Sequence, residues 1–526
     1  MDKQILYHDY AKNALKNGMQ ILVQAVSITL GPKGRNVVLS KKKGSPKIIN
    51  DGVTIANEIE LDNHIENTGA LLIRQVASKT NDNAGDGTTT ATVLAYAMIE
   101  EGMRNLTAGS NPVMIKKGME KASAFVIDQI CKISKSIDSM QRIEDIAAIS
   151  AGNDKKIGKM IANAIEKVGR EGIISLEQGK CTDIELEISE GMKIEKGFIS
   201  PYFVTDKKTM EIIQENPFIL LTEKNIDIPQ QELVPILEKI KKTGRPLLII
   251  AENIEKEALT TMIINKLRDN IDIVAIRVPN FGEQKKAILE DIGILTGGQV
   301  ITNDLGLDFK KIELSMLGQA KKITIGKNST VIISKENKKQ VQNRCKQLRQ
   351  QIEISDSNYI KENLAQRLSK LVGGIAIIKV GARTEVEMKE KKLRIEDSIN
   401  ATKAAIEEGI IPGGGTTFVH IYKELKFWAK EHLMNDELIG ANIVANALLT
   451  PIKKIIENCG FDSSIVIDTI KTKNSNIGYD AYNNKIVNMY KEGIIDPAKV
   501  ARCAMQNATS IATIVLTTEC VIINKI

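Results

Sequence analysis

The sequence has few rings: aromatic residues are 4% of its 526 positions, and Trp428 is the single tryptophan. The core is therefore expected to be aliphatic. Six cysteines (Cys131, Cys181, Cys345, Cys459, Cys503, Cys520) are scattered without a C-x-x-C pair, which argues for reduced thiols over a disulfide frame or a zinc site. No apolar run approaches the ~20 residues of a membrane span, so membrane insertion is not expected. Met1-Asp2-Lys3-Gln4 has no signal-peptide character, and synthesis in place is the expectation. One-sided charge is also lacking, since 72 basic against 65 acidic residues leave a net +7. Lys41-Lys42-Lys43 and Lys389-Glu390-Lys391-Lys392 carry no interleaved aromatics and read as solvated faces, so no nucleic-acid partner is expected.

What is present points to several domains. This length suggests roughly three to four of them, and 43% hydrophobic with 26% charged residues supports a packed core. The most telling stretch is Gly85-Asp86-Gly87-Thr88-Thr89-Thr90, which runs into the apolar, helix-forming Ala91–Ile99. Free N–H groups and the positive end of the helix dipole make such a terminus an anion site. The flanking glycines let backbone approach a ligand closely. A carboxylate beside a phosphate repels it unless a cation lies between, so Asp86 argues for Mg²⁺ bridging acid and nucleotide. The pattern is not a Walker A loop, which requires G-x-x-x-x-G-K-[ST].

In chain order, 5–27 has helical spacing and stops at the breakers Thr29-Leu30-Gly31-Pro32-Lys33-Gly34. Arg35–Leu39 and Lys47–Ile49 read as strands around a turn at Lys43-Gly44-Ser45-Pro46, and 104–133 reads as helical throughout. From about 191 to 374, strand-like runs such as Pro246–Ala251 and Ile273–Ile276 alternate with helical ones, an α/β pattern. Stripes at i, i+3, i+4, i+7 (Leu233, Ile236, Leu237, Ile240) and nearly so (Leu259, Met262, Ile263, Leu267) ordinarily face a core. Val234 and Ile264 lie beside those stripes and widen the apolar surface. The 389–408 helix keeps Asp397 off its apolar stripe, so on spacing alone Asp397 is a surface carboxylate.

Thr29–Gly34, Asn50-Asp51-Gly52-Val53-Thr54 and Gly85–Thr90 closely resemble the ATP site of group I chaperonins, the GroEL family. The resemblance continues through Gly191-Met192, Ser200-Pro201-Tyr202-Phe203, Thr296-Gly297-Gly298, Glu385–Lys392, Gly413-Gly414-Gly415 and Thr517-Thr518-Glu519-Cys520, collinear over essentially the whole chain. It implies a multidomain α/β fold. A mostly helical equatorial domain would come from 1–133 plus 409–526, and a small α/β intermediate domain from 134–190 plus 375–408. An α/β apical domain, 191–374, would lie between hinges at Gly191 and Gly373-Gly374.

The same resemblance implies an ATPase in which Asp397 activates water and Asp86 binds Mg²⁺. Gly87, Thr88, Thr89 and Thr90 would hold phosphate oxygens. Thr29, Leu30, Gly31, Pro32 and Gly414 would enclose ATP, and Asp496 would contact the ribose. Asp480 and Ala481 match the adenine contact, although relatives often have Asn where Asp480 stands, and an ionised Asp only accepts hydrogen bonds. Asn50 stands where some relatives have Lys; its carbonyl is the expected ligand of a monovalent cation, K⁺. Phe198, Tyr202, Phe203, Val234, Leu237, Leu259, Ile263 and Ile264 would line an exposed apolar groove for non-native proteins and a GroES-type co-chaperonin. Assembly into two stacked rings of seven is likewise implied.

A metabolite kinase is the rival enzyme, but four histidines (His8, His64, His420, His432) supply no acceptor pocket with its own base. A passive holdase leaves Asp86 and Asp397 without a purpose. Asp62–Ala70 resembles the plastid and cyanobacterial branch, and abundant Asn, Lys and Ile suggest an AT-rich genome. An algal plastid stroma is expected, with a bacterial cytoplasm as the alternative. The end at Ile526 lacks the Gly/Met-rich tail of some relatives.

Overall fold

The computed structural model describes residues 3–40, 46–170, 172–179, 182–189, 191–205, 210–268, 270–279, 283–302, 309, 312–334, 337–355, 358–372 and 374–524. The Lys41–Lys43 cluster, most of the expected Lys43–Pro46 turn, Cys181, Gly373 and the ends Met1, Asp2 and Ile526 lie outside them. Two compact units emerge. The first comprises Met1–Asn163, Gln178–Ile184 and Val380–Ile526, and the second Ala164–Glu177 and Glu185–Lys379.

The first unit is a helical assembly whose helices nearly touch backbone to backbone. A Cβ on Gly18 would lie 1.8 Å from the carbonyl oxygen of Glu66, and one on Gly69 2.1 Å from that of Leu15. The His8–Ser27 and His64–Ala84 helices thus cross on glycine at both sides. Gly118 and Gly440 do the same for Pro112–Ile133 and Asn435–Leu448. Such close crossings favour small and aliphatic side chains, and the core is mostly aliphatic, with Leu15, Leu22, Ile73, Leu94, Met98, Ile99 and Ile115 among its members. Asn435–Asn458 is long and apolar enough by composition to cross a membrane. It is nevertheless two helices, Asn435–Leu448 and Thr450–Asn458, with Pro451 in the first turn of the second. Its Ile443, Val444 and Leu448 are buried in this core.

Three boundaries differ from the sequence expectation. Lys3–Tyr7 is a strand, not the start of a helix, because it pairs antiparallel with Cys520–Asn524, a partner over 500 residues away that local spacing does not reveal. The helical stretch 104–133 is broken at Ala108, where one helix ends and Asn111 caps the next by accepting from the N–H groups of Val113 and Met114. The helix after Gly85 begins at Thr88, so the three threonines form its first turn.

The second unit contains an eight-stranded mixed sheet. Phe218–Thr222, Leu247–Ala251 and Ile273–Arg277 lie parallel and are almost wholly buried, as continuous Leu/Ile/Val runs require of a sheet covered on both faces. Asp291, fully buried, receives Arg367 through Nε and Nη2 at 2.7 and 2.9 Å and Arg344 Nε at 2.9 Å, tying the Glu283–Thr296 helix to the two that follow.

The expected apolar groove divides in two. Tyr202 is 68% exposed and Ile264 42%, while Phe198, Val234, Leu259 and Ile263 are half-buried. Phe203 and Leu237 do not belong to an exposed surface. At 0% and 5% exposure they sit in the core with Leu233, Ile236 and Ile240. Leu237 shares a face with Leu233 and Ile240, and that shared face is the buried one. Leu237→Ser should accordingly lower stability by about 2–5 kcal/mol, the cost of a core truncation, whereas Tyr202→Ser should stay within about 0.5 kcal/mol. Chemical denaturation followed through the second unit separates the two.

Candidate functional site

Two long helix N-termini of the first unit carry the glycine-rich motifs. The Thr88–Thr107 helix starts from Gly87 in the left-handed region (φ 77°), after Gly85 at φ 69°. Neither position tolerates a side chain: a Cβ would meet Asn400 at 2.6 Å on Gly85 and Val500 at 2.4 Å on Gly87. The Thr416–His432 helix starts from Gly415 (φ 76°) after Gly414 (φ 60°). Gly52 packs on the first of these termini, since its Cβ would lie 2.4 Å from Thr89 Oγ1 and 2.9 Å from Thr88 Oγ1. Thr29 Oγ1 donates to the Val26 carbonyl and lies 3.5 Å from Thr89 Oγ1. The Thr29–Gly34 turn is held by Asn458, whose Nδ2 donates to the carbonyls of Ser27 and Leu30, each at 2.9 Å. Thr29, Gly52, Thr88 and Thr89 therefore form one surface of hydroxyls and N–H groups.

Carboxylates border it from separate elements. Asp51 caps the Gly52–Glu58 helix by accepting from the N–H groups of Val53 and Thr54. Asp86 Oδ2 accepts from Ser150 Oγ at 3.1 Å, and its Oδ1 from the Gly87 N–H. Asp397, on the Glu385–Glu408 helix, is half-buried and faces both. Burial raises its carboxyl well above the ordinary range, and the charges of Asp86, Asp51 and Glu396 push in the same direction. Asp86 is raised chiefly by burial and further by Asp51, against its hydrogen bonds from Gly87 and Ser150. The surface carboxylate that spacing alone suggested for Asp397 is thus an inward-facing one. Asp51 borders the site as well, which the Asn50–Thr54 motif alone does not announce. The signal that marks it is its place as a helix cap directly before Gly52, the residue that touches Thr88 and Thr89.

Asp496 lies in the short ladder that pairs Ile410–Pro412 with Ile495–Pro497, opposite Ile411. Its Oδ1 would be 2.8 Å from a Cβ on Gly413. Gly414 faces the Tyr479 carbonyl oxygen and Met489, and Leu30, Tyr479 and Ala481 share one small apolar cluster. Gly31, Gly414, Ala481 and Asp496 are therefore brought to the same end of the unit. Asp480 is not free to read a base: Oδ1 accepts from the N–H groups of Tyr482 and Asn483, and Oδ2 from Asn483 Nδ2 at 2.7 Å. Its carboxylate is committed to its own hairpin turn. Asn50 is exposed beside Asp51.

The whole constellation, a phosphate-sized cradle of N–H and hydroxyl donors bordered by carboxylates, suits a nucleotide with its cation. The description TCP-1/cpn60 chaperonin family matches residues 22–526. The chain belongs to that family. It is 59% identical, over the full length of both chains, to the chloroplastic chaperonin GroEL of Gracilaria tenuistipitata var. liui. The crystal structure of the chaperonin gp146 from the bacteriophage EL 2 (Pseudomonas aeruginosa), in the presence of ATP-BeFx, shares the fold with a TM-score of 0.70 at 20% identity, covering 99% of each chain. This chaperonin is an ATPase and an ATP-dependent molecular chaperone of protein folding, with its place in the plastid.

Asp496 supplies a test of the site's electrostatics in the ligand-free chaperonin. Burial first, then the charge of Asp86, raises its carboxyl from 3.8 to about 6, against the Gly414 N–H that favours the anion. A carboxyl raised in the folded state holds its proton longer there than in the unfolded chain. Its ionisation therefore costs stability as pH rises from about 4 to about 6, and the cost is complete above that. Asp496→Asn, uncharged at every pH and still able to accept from Gly414, should match wild type near pH 4 and exceed it by about 1–3 kcal/mol at pH 7. A difference in denaturation midpoint that does not grow between pH 4 and 7 contradicts this electrostatic reading.

Proposed function

We propose that ATP hydrolysis runs on Asp397 as the water-activating carboxylate, with Asp86 as the protein ligand of Mg²⁺ and Thr88, Thr89 and Thr90 on the phosphate oxygens. The observation that carries this reading is the convergence of Asp51, Asp86 and Asp397 on one helix N-terminus. The donor set fits Mg²⁺. Among the described residues no group of three or more His, Cys, Asp or Glu could hold an ion by itself. A hard cation held through one or two carboxylates, with phosphate and water completing its shell, is the usual Mg²⁺ arrangement. Held by Asp86, the ion would supply positive charge that offsets the charge developing on the phosphate during transfer.

The chain's own groups do the rest. The first-turn N–H groups of the Thr88–Thr107 helix and the threonine hydroxyls bind and orient the phosphates. Asp397, with a carboxyl raised well above the ordinary range by burial and the facing acids, becomes a competent base once the facing charges are compensated. Thr29–Pro32, Gly414 and Ala481 enclose the nucleotide and Asp496 meets its ribose. Asp480 supports the adenine end by shaping its turn, and K⁺ lies at the Asn50 carbonyl.

The finer organisation rests on the same reading. A three-domain division, with 134–190 plus 375–408 as the intermediate domain, would let Asp397 move relative to the cradle. We infer self-assembly into two stacked rings of seven; contact between copies has the support of two small sheets of the first unit. Val37–Leu39 with Lys47–Ile49, and Lys3–Tyr7 with Cys520–Asn524, each have two strands among the described residues and expose Val38, Ile48, Ile5 and Ile522. Two-stranded sheets are weak alone and pair readily with further strands. Tyr202, Ile264 and the half-buried Phe198, Val234, Leu259 and Ile263 would capture non-native proteins and a GroES-type co-chaperonin before enclosure in the ring cavity.

Asp397→Ala should lower kcat by about 10²–10⁴, the contribution of one positioned base, while ATP binding persists because the cradle is untouched. Single-turnover hydrolysis and equilibrium nucleotide binding measured on the same variant decide it. Hydrolysis at the wild-type rate would remove Asp397 from the role of base.

A further inference from the structure

We propose that Ser150 is a positioning residue for the ATPase reaction: its hydroxyl fixes Oδ2 of Asp86, so the carboxylate is aimed only while the helix pair that carries Asp397 is docked on the Gly85–Gly87 loop. The inference rests on the reading of Asp86 as the metal ligand.

Ser150 is the last residue of the Met140–Ser150 helix and donates to Asp86 Oδ2 across 64 positions of sequence. The opposite oxygen of Asp86 is held by the Gly87 N–H, within its own loop. One oxygen is thus fixed locally and the other from a distant element. The terminal torsion of an aspartate is broad, so a carboxylate tied at one oxygen alone is free to turn.

The Met140–Ser150 helix is clasped in turn to the helix of Asp397. Ser398, fully buried, donates through Oγ to the Ala147 carbonyl at 2.6 Å, three residues before Ser150. Asn400 Nδ2 reaches the Gly85 carbonyl at 3.4 Å, and its side chain fills the space a Cβ on Gly85 would need. The helix pair therefore grips the loop at two adjacent residues, at Gly85 through Asn400 and at Asp86 through Ser150. The consequence is that the base and the aimed ligand arrive together. When the pair withdraws, Asp397 leaves and Asp86 loses one of its two donors.

The test uses the assembled full-length chaperonin, with Mn²⁺ as the probe and ATP hydrolysis as the second readout. In Ser150→Ala, the affinity for Mn²⁺ in the presence of nucleotide, read from the free-Mn²⁺ resonance, should fall about 10- to 150-fold, the loss of one hydrogen bond to a charged group. The Mg²⁺ concentration that half-saturates hydrolysis should rise by the same factor, with kcat at saturating Mg²⁺ within about threefold of wild type and an unchanged melting temperature. Ser150→Thr, which keeps the hydroxyl, should restore the affinity. Ser398→Ala, which unclasps the helix pair while keeping Ser150, should weaken Mn²⁺ in the same direction. Wild-type Mn²⁺ affinity in Ser150→Ala, alongside a large loss in Asp86→Ala, overturns the proposal and leaves Asp86 as ligand. Wild-type affinity in Asp86→Ala overturns the ligand reading itself. A loss in Ser150→Ala that comes with a lowered melting temperature and is not restored by Thr assigns Ser150 to packing, and Ser398→Ala without effect removes the link to docking.

Discussion

Asp51 from a helix cap, Asp86 from a loop and Asp397 from a helix come to one partly dehydrated space, and like charges placed this way resist one another. Much of the first unit can be understood as the means of holding them there. Asp51 is neutralised in part by capping a helix, and Asp86 by the Gly87 N–H and the Ser150 hydroxyl. Asp397 has no such donor among its largest influences, which are burial and the other acids. The asymmetry gives the residues different work. A carboxylate with two hydrogen-bond donors keeps a fixed aim suited to a ligand, and one left under repulsion is the stronger proton acceptor once a cation enters. On the proposed reading, a bound cation would offset this repulsion.

The glycine contacts serve the same end from the scaffold side. Gly18 on Glu66 and Gly69 on Leu15 bring helices to the closest approach a backbone allows, and a core packed that tightly yields little. The loops at Gly85–Gly87 and Gly413–Gly415 project from helices anchored in it, through Leu94 and Met98 on one side and Phe418 and Ile421 on the other. Scarce aromatics and abundant close helix crossings are one property seen from sequence and from structure.

How much of this was legible in the sequence follows the range of the interactions. The Gly85–Thr90 loop announces its chemistry within six residues, because the glycines, the acid and the helix start are all local. The parallel strands of the second unit are legible for the same reason, as unbroken aliphatic runs. The Lys3–Tyr7 strand is not, since its partner lies at the far end of the chain. Leu237 and Phe203 fail differently: resemblance alone placed them in the groove, whereas the stripe of Leu233, Ile236, Leu237 and Ile240 faces the core, as such stripes ordinarily do. Asp397 was assigned by resemblance against its own helix spacing. A single helix cannot reveal that the space beyond its polar face is filled by Asp86 and Asp51.

The attachment of the Asp397 helix has its own logic. Leu393 packs only partly on the main core, and Ala404 belongs to a separate small cluster with Ala84, Val500 and Cys503. Near the loop its links are polar and few: Ser398 to Ala147, Asn400 to Gly85, and Ser150 on the companion helix to Asp86. Polar links can be exchanged for water at small net cost, whereas an apolar interface of the same extent would lose its burial on opening. If the Asp397 helix moves as proposed, hydrogen bonds suit its attachment better than an apolar interface would. The sequence meets that need by placing Ser, Asn and Asp along the face that meets the loop, and by keeping Ile395, Ile399 and Ala405 on the buried side.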